Sequence, residues 1–157
     1  MTDKLRVGLA QLNPKVGDVA GNLAKVRAAR AEAAKQGADM VLFPEMVLAG
    51  YFPEDLVLKP AFQQACHEAV EALRADTLDG GPALFVTTPW REDGKLYNAI
   101  VALDKGEIAG KRYKVDLPNY GVFDDKRVFS PGPMPGPIVF KGVRIGVPIC
   151  EDVWTPD

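Results

Sequence analysis

The sequence has 157 residues, 47% of them hydrophobic and 25% charged, with a formal net charge of −2. That composition suits one ordinary globular domain and excludes global disorder. The charge balance offers no electrostatic basis for binding nucleic acid or an anionic membrane, and no apolar run approaches the ~20 residues needed to span a bilayer.

In chain order, "KLRVGLAQ" reads as a first strand rather than a signal peptide, because the N-terminus has an early acidic residue and no small-residue cleavage site. "NLAKVRAARAEAAKQGAD" is predicted helical, with Leu23, Val26 and Ala33 on one side and Gly37 ending it. "DMVLF" is a continuous apolar run, as expected of a buried strand. "PEMVLAGYFPEDL" holds two prolines and a glycine and reads mostly as loop. "PAFQQACHEAVEALRAD" is a second helix with Pro60 in its first turn and an apolar stripe of Phe62, Ala65, Cys66, Ala69, Val70 and Leu73. "ALFVTT" is a strand. "REDGK" is a turn into "LYNAIVALD", and "DKG" is a turn into "EIAGKRY".

"SPGPMPGP", residues 130–137, reads as a rigid surface loop, and "GVRIGVPI" as a last buried strand. Strand, helix, strand, helix and then several strands in succession predict an α/β layer structure with a mixed sheet. The chain closes on "CEDVWTPD" straight after that last strand, where an α/β fold supplies a covering helix. The expectation is a fragment of a longer domain.

Cysteine and histidine chemistry is sparse. Cys66 and Cys150 lie far apart, and without secretory features two cytosolic thiols are the favoured reading over a disulfide. One histidine and two cysteines without tight spacing make no zinc site. Cys66 sits on a helix stripe and reads as core. Cys150 ends an apolar run beside charged residues, a strand-to-turn position that suits an exposed nucleophile and equally a structural thiol. A thiol needs a base or a positive neighbour to react at neutral pH. His67 lies off the apolar stripe of its helix and reads as a solvated surface residue, so the partner would be a carboxylate or a lysine. Glu45 follows "VLFP", just past the end of a buried strand, where α/β sheets place their sites. Lys114 follows a strand and precedes a proline-containing loop. "GEIAGK" is one residue too short for a phosphate-binding P-loop and reads as a hairpin turn.

Glu45 after "FP", Lys114 before "LPNYGVFD" and Cys150 in "ICEDVW" resemble the Glu-Lys-Cys triad of the nitrilase superfamily. "GYFPEDLVLKPAF", "LPNYGVFDDKRVF" and "ICEDVW" together are similar to the glutamine-hydrolysing domain of glutamine-dependent NAD synthetases. Simple nitrilases and amidases tend to carry a different residue after the cysteine and lack the "PNYGVFD" run. The resemblance covers the whole chain, with the motifs in the family order. It implies a nitrilase-like four-layer α-β-β-α sandwich, of which this chain would be the N-terminal part. Glu45 would be the general base and acid, Lys114 the oxyanion stabiliser and Cys150 the nucleophile. Glu151 would bind the α-amino group of glutamine, and Tyr120 and Tyr51 would line the pocket. Where the family often has a second glutamate, this chain has Asp125, a shorter carboxylate that would orient Lys114.

The same resemblance implies L-glutamine as substrate and no metal or cofactor for the amide-hydrolysing step. ATP and Mg²⁺ would belong to a downstream synthetase domain that receives the ammonia. A homo-oligomeric full-length protein in the cytoplasm is the accompanying expectation. Two other readings stand beside it. One is a stand-alone amidase or carbamoylase acting on another small amide. The other is an α/β binding or assembly module with a structural cysteine.

Overall fold

The computed structural model describes residues 4–154. The outermost residues of the N-terminal segment and of "CEDVWTPD", 1–3 and 155–157, lie outside the described residues. The main sheet has five strands in the order β1 (Val7–Leu9), β2 (Met40–Leu42), β3 (Ala83–Glu92), β4 (Lys95–Asp104) and β5 (Glu107–Tyr113). β1, β2 and β3 run parallel, and β3–β4 and β4–β5 are antiparallel hairpins. The parallel strands need crossovers, which α1 (Val19–Lys35) and α2 (Pro60–Asp76) supply. A second, two-stranded antiparallel sheet pairs β6 (Ile138–Phe140) with β7 (Val143–Ile145). A single turn of helix, α3 (Asp125–Val128), lies between β5 and β6.

Alternation along the strands decides what packs where. Val41, Leu84, Val86, Ala99, Val101 and Leu103 join a cluster with Val26, Ala69, Val70 and Leu73 of the helices. Their alternate neighbours Met40, Ala83, Phe85, Ile100 and Ala102 pack against Ile138 and Phe140 of the second sheet. With both faces covered, the central strands read as unbroken apolar runs instead of alternating ones. Three layers result among the described residues: helices, main sheet, second sheet.

The helices show why sequence patterns were clear for one and faint for the other. α2 has the predicted bounds, with Pro60 in its first turn, and buries Phe62, Cys66, Ala69, Val70 and Leu73. α1 begins at Val19, three residues before the predicted start, because the Asp18 side chain caps it by accepting from Gly21 N at 3.0 Å. Two of its three buried residues are polar. Asn22 donates to the carbonyls of Lys15 and Leu48, and Arg30 pairs with Asp79 and donates to Pro82 O. Buried polar groups with full partners sit where an apolar stripe would otherwise be.

Other boundaries moved. β3 extends past "ALFVTT" to Glu92, so the hairpin turn is confined to Asp93–Gly94. Lys105–Gly106 is the turn into β5, as the reading of "DKG" expects, whereas residues 107–111 of "GEIAGK" belong to the strand and not to a turn. The predicted strand "GVRIGVPI" is corrected: only Val143–Ile145 is strand, and Val143 is exposed. Its partner β6 is itself three residues long, and Pro148 lacks the donor that a longer ladder requires. Residues 130–137 form no regular structure, but Gly132 docks closely: its N–H donates to Lys114 O at 2.8 Å, and a Cβ there would lie 2.6 Å from Tyr113 Cβ. No helix among the described residues is long and apolar enough to cross a membrane.

Candidate active site

Glu45, Lys114 and Cys150 come from three separated stretches and meet at one edge of the sheets. Glu45 lies three residues past β2. β2 does not pair with β3 beyond Phe85, so the loop after β2 runs along β3 instead. Thr87 fixes that loop on both sides of Glu45. Its hydroxyl donates to Pro44 O and accepts from Val47 N at 2.9 Å. Lys114 lies one residue past β5, its N–H donating to Asn98 O at 2.8 Å.

The Lys114 side chain is wholly buried, with Nζ 2.8 Å from Glu45 Oε1 and 2.8 Å from Asp125 Oδ2. Burial works against its charge, but the hydrogen bonds and charges of Asp125 and Glu45 outweigh it. The net effect raises the pKa and keeps the ammonium protonated. Asp125 is equally buried. It reaches the site because α3 packs Val128, with the adjoining Phe129, into the apolar cluster of Met46, Ala49 and Leu117.

Cys150 is exposed and takes φ +48°, at the start of a 3₁₀ turn, Cys150–Val153. A left-handed conformation at a non-glycine residue costs energy and is a common feature of functional turns. Burial and then the Glu45 charge raise the pKa of its thiol, and Lys114 offsets this only in part. The resting pair is therefore a neutral thiol beside a carboxylate. Both residues line one cleft of about 270 Å³ together with Phe43, Thr87 and Ile149.

Asp152 ties this turn to the chain that carries Lys114. Oδ1 accepts from Val115 N at 3.0 Å and Asp116 N at 2.8 Å, while Oδ2 accepts from Ile149 N at 2.9 Å. One carboxylate thus holds the backbone just after Lys114 and just before Cys150.

The remaining candidates lie around this group. The Tyr51 hydroxyl is 3.5 Å from Asp125 Oδ1. Burial and then the charges of Asp125, Glu45 and Cys150 raise its pKa, so it remains a phenol. Tyr120 donates to the Glu151 carboxylate at 3.0 Å. That bond raises the Tyr120 pKa. Phe123 bridges the two tyrosines, with ring centroids 6.5 Å from Tyr51 and 5.5 Å from Tyr120. All seven sequence-predicted residues therefore belong to one neighbourhood. His67 is exposed and lies tilted against Trp90, at 5.0 Å between ring centroids, and is no part of the group.

Residues 6–157 match the carbon–nitrogen hydrolase family. The chain belongs to that family. Among curated carbon–nitrogen hydrolase relatives, the glutamine-dependent NAD(+) synthetase of Rhodobacter capsulatus is 45% identical over 157 residues, covering 100% of this chain and 28% of the relative. A solved glutamine-dependent NAD+ synthetase from Acinetobacter baumannii, in complex with ADP, superposes with a TM-score of 0.90 at 35% identity, covering 96% of this chain and 28% of that one. A mutant amidase from Nesterenkonia sp. AN1, showing Michael addition of acrylamide at its active site cysteine, superposes with a TM-score of 0.78 at 28% identity. That match covers 90% of this chain and 55% of the amidase. The chain thus spans little more than a quarter of the synthetases it matches, and the fold is nitrilase-like.

Within this carbon–nitrogen hydrolase frame, four residues near the group escaped the sequence reading: Thr87, Asn98, Phe123 and Asp152. Phe123 and Asp152 sit inside the quoted motifs "PNYGVFD" and "ICEDVW", and that was the available signal. Thr87 and Asn98 interrupt otherwise apolar strands. A polar residue in a two-faced buried strand was the clue.

Proposed function

We propose that this chain is part of a carbon–nitrogen hydrolase domain that releases ammonia from the side-chain amide of glutamine. The observation that carries the reading is the Lys114 ammonium, held 2.8 Å from each of two carboxylates beside an exposed cysteine in a left-handed turn. Glu45 takes the Cys150 proton as sulfur attacks the amide carbon. Lys114 and the backbone N–H of Glu151 stabilise the oxyanion, and losing one such donor typically costs ~10²–10³ in rate. Glu45 returns the proton to the departing nitrogen, the C–N bond breaks and ammonia leaves a glutamyl thioester. Glu45 then takes a proton from water, whose oxygen attacks the thioester carbon. The C–S bond breaks, glutamate departs and the thiol is restored.

Glu151 and Tyr120 give the substrate reading its direction. A carboxylate anchored by a phenol suits the α-amino group of an amino-acid amide, and Tyr51 and Phe123 form the apolar side of such a pocket. Asp125 keeps Lys114 charged and oriented throughout. The ammonia would pass to a synthetase domain beyond these 157 residues, where ATP and Mg²⁺ would activate deamido-NAD. Assembly of the full-length protein as a homo-oligomer belongs to the same proposal.

The test is Cys150→Ala in the full-length protein. NAD formation from glutamine is lost and formation from ammonium persists. Equal loss of both would make Cys150 a folding residue. A stand-alone amidase is the second reading, favoured by the superposition on the Nesterenkonia amidase. Glu151→Ala separates the two: it raises KM for glutamine and leaves hydrolysis of an uncharged amide such as propionamide unchanged only if Glu151 reads the amine.

A further inference from the structure

Asn98 sits in the middle of β4 and is fully buried. Its side-chain Nδ2 donates to Glu45 Oε1 at 2.7 Å. Its backbone carbonyl accepts from Lys114 N at 2.8 Å. Lys114 Nζ closes the triangle on the same Glu45 oxygen at 2.8 Å. One strand residue therefore holds the side chain of Glu45 and the backbone of Lys114 together. Its own Oδ1 is buried without a hydrogen-bond partner, alone in this respect among the buried side-chain atoms of the described residues.

An orphaned buried acceptor is unfavourable, and an apolar side chain of the same shape would remove it. A fold selected for stability alone has no use for an amide here. What the amide supplies is a donor aimed at Glu45. A carboxylate oxygen has two lone pairs. Oε1 has both engaged, one by Lys114 and one by Asn98. The free lone pairs lie on Oε2.

We infer that Asn98 is a positioning residue that saturates Glu45 Oε1 and so makes Oε2 the oxygen that exchanges the proton with Cys150. The inference rests on the amide-hydrolase reading above, because it assigns Glu45 the proton transfer. Asn98 acts through Glu45 alone and touches no substrate. It fixes which edge of the carboxylate faces the thiol. Without it the carboxylate rotates about its terminal bond, a soft torsion, and the reactive alignment becomes one of several.

The test uses Asn98→Leu and Asn98→Asp in the full-length protein, with kcat and KM measured on glutamine and on propionamide alongside thermal melting. Asn98→Leu is expected to lower kcat by about 10- to 100-fold, the equivalent of one charge-assisted hydrogen bond. Its KM stays within about twofold, as for an interaction that does not contact substrate. Its melting temperature holds or rises, because the orphaned acceptor is gone. Asn98→Asp lowers kcat further than the leucine variant does, because a carboxylate then faces Glu45. A purely structural asparagine gives the opposite signs. Asn98→Leu that fails to fold, or melts lower with kcat of the folded fraction unchanged, overturns the inference. Wild-type inactivity on glutamine with turnover of propionamide counts against the glutamine reading only, and the variant-to-wild-type ratio on propionamide then decides Asn98.

Discussion

Lys114 Nζ lies 2.8 Å from Asp125 Oδ2, and neither side chain is exposed to solvent. Removing Asp125 leaves the buried Lys114 ammonium with Glu45 as its one remaining carboxylate. Asp125→Ala is expected to destabilise the protein by less than the about 3–5 kcal/mol of a fully unpaired buried charge, and the isosteric Asp125→Asn by less still. Urea denaturation of the variants measures this. A loss below about 1 kcal/mol for the alanine variant would mean that the pair is solvated.

The pair also sets an alkaline limit. Burial opposes the Lys114 charge, yet Asp125 and Glu45 hold the folded-state pKa above the ordinary lysine value. The stability this contributes is fully present below the unfolded-state pKa and is lost as pH rises through the folded one. Melting temperature against pH should therefore fall on the alkaline side as Lys114 loses its proton. In Asp125→Asn that fall begins at lower pH. A fall that begins at the same pH in both proteins would separate Lys114 from it.

Cys150 has the opposite sensitivity. Burial and the Glu45 charge push its thiol up, so alkylation by iodoacetamide without substrate should be slow at neutral pH and rise late. Glu45→Gln removes a neighbouring negative charge, so the profile moves to lower pH while amide turnover is lost. A midpoint that stays put or moves up would mean that Glu45 does not face the thiol.

Three backbone N–H groups converge on the Asp152 carboxylate. Asp152→Ala frees the Cys150 turn from the Lys114 segment. Hydrogen bonds to a charged acceptor are worth about 1.5–3 kcal/mol each, and they do not add fully. The melting temperature should drop and Cys150 alkylation should change with it. A variant that melts lower but labels at the wild-type rate would leave Asp152 a stabilising residue with no hold on the nucleophile.

These relationships differ in how far the sequence betrays them. The bounds of α2 follow from Pro60 and one apolar stripe, whereas the run stopped by Pro44 only makes Glu45 a candidate and its role came with the family resemblance. The change of chemistry at the end of another such run singles out Cys150 but does not separate a nucleophile from a structural thiol, and the resemblance does. β6 and β7 were obscured because a three-residue strand carries too little alternation to separate from the glycines and prolines around it. Asn98 and Glu45 lie 53 positions apart, and Asp152 and Val115 lie 37 apart. Such contacts leave no periodic trace, since they depend on tertiary placement and not on a local face. Asp125 was legible as a matching position, but its full burial came only with α3.

The most direct test is mass-spectrometric labelling of the full-length protein with a glutamine-like electrophile. The predicted result is one adduct per chain at Cys150 and none at Cys66, which is buried with its thiol pushed up to about 12. Glutamine should protect Cys150 better than propionamide at equal concentration. An unmodified Cys150, labelling of both cysteines alike, or no preference between glutamine and propionamide would contradict the account.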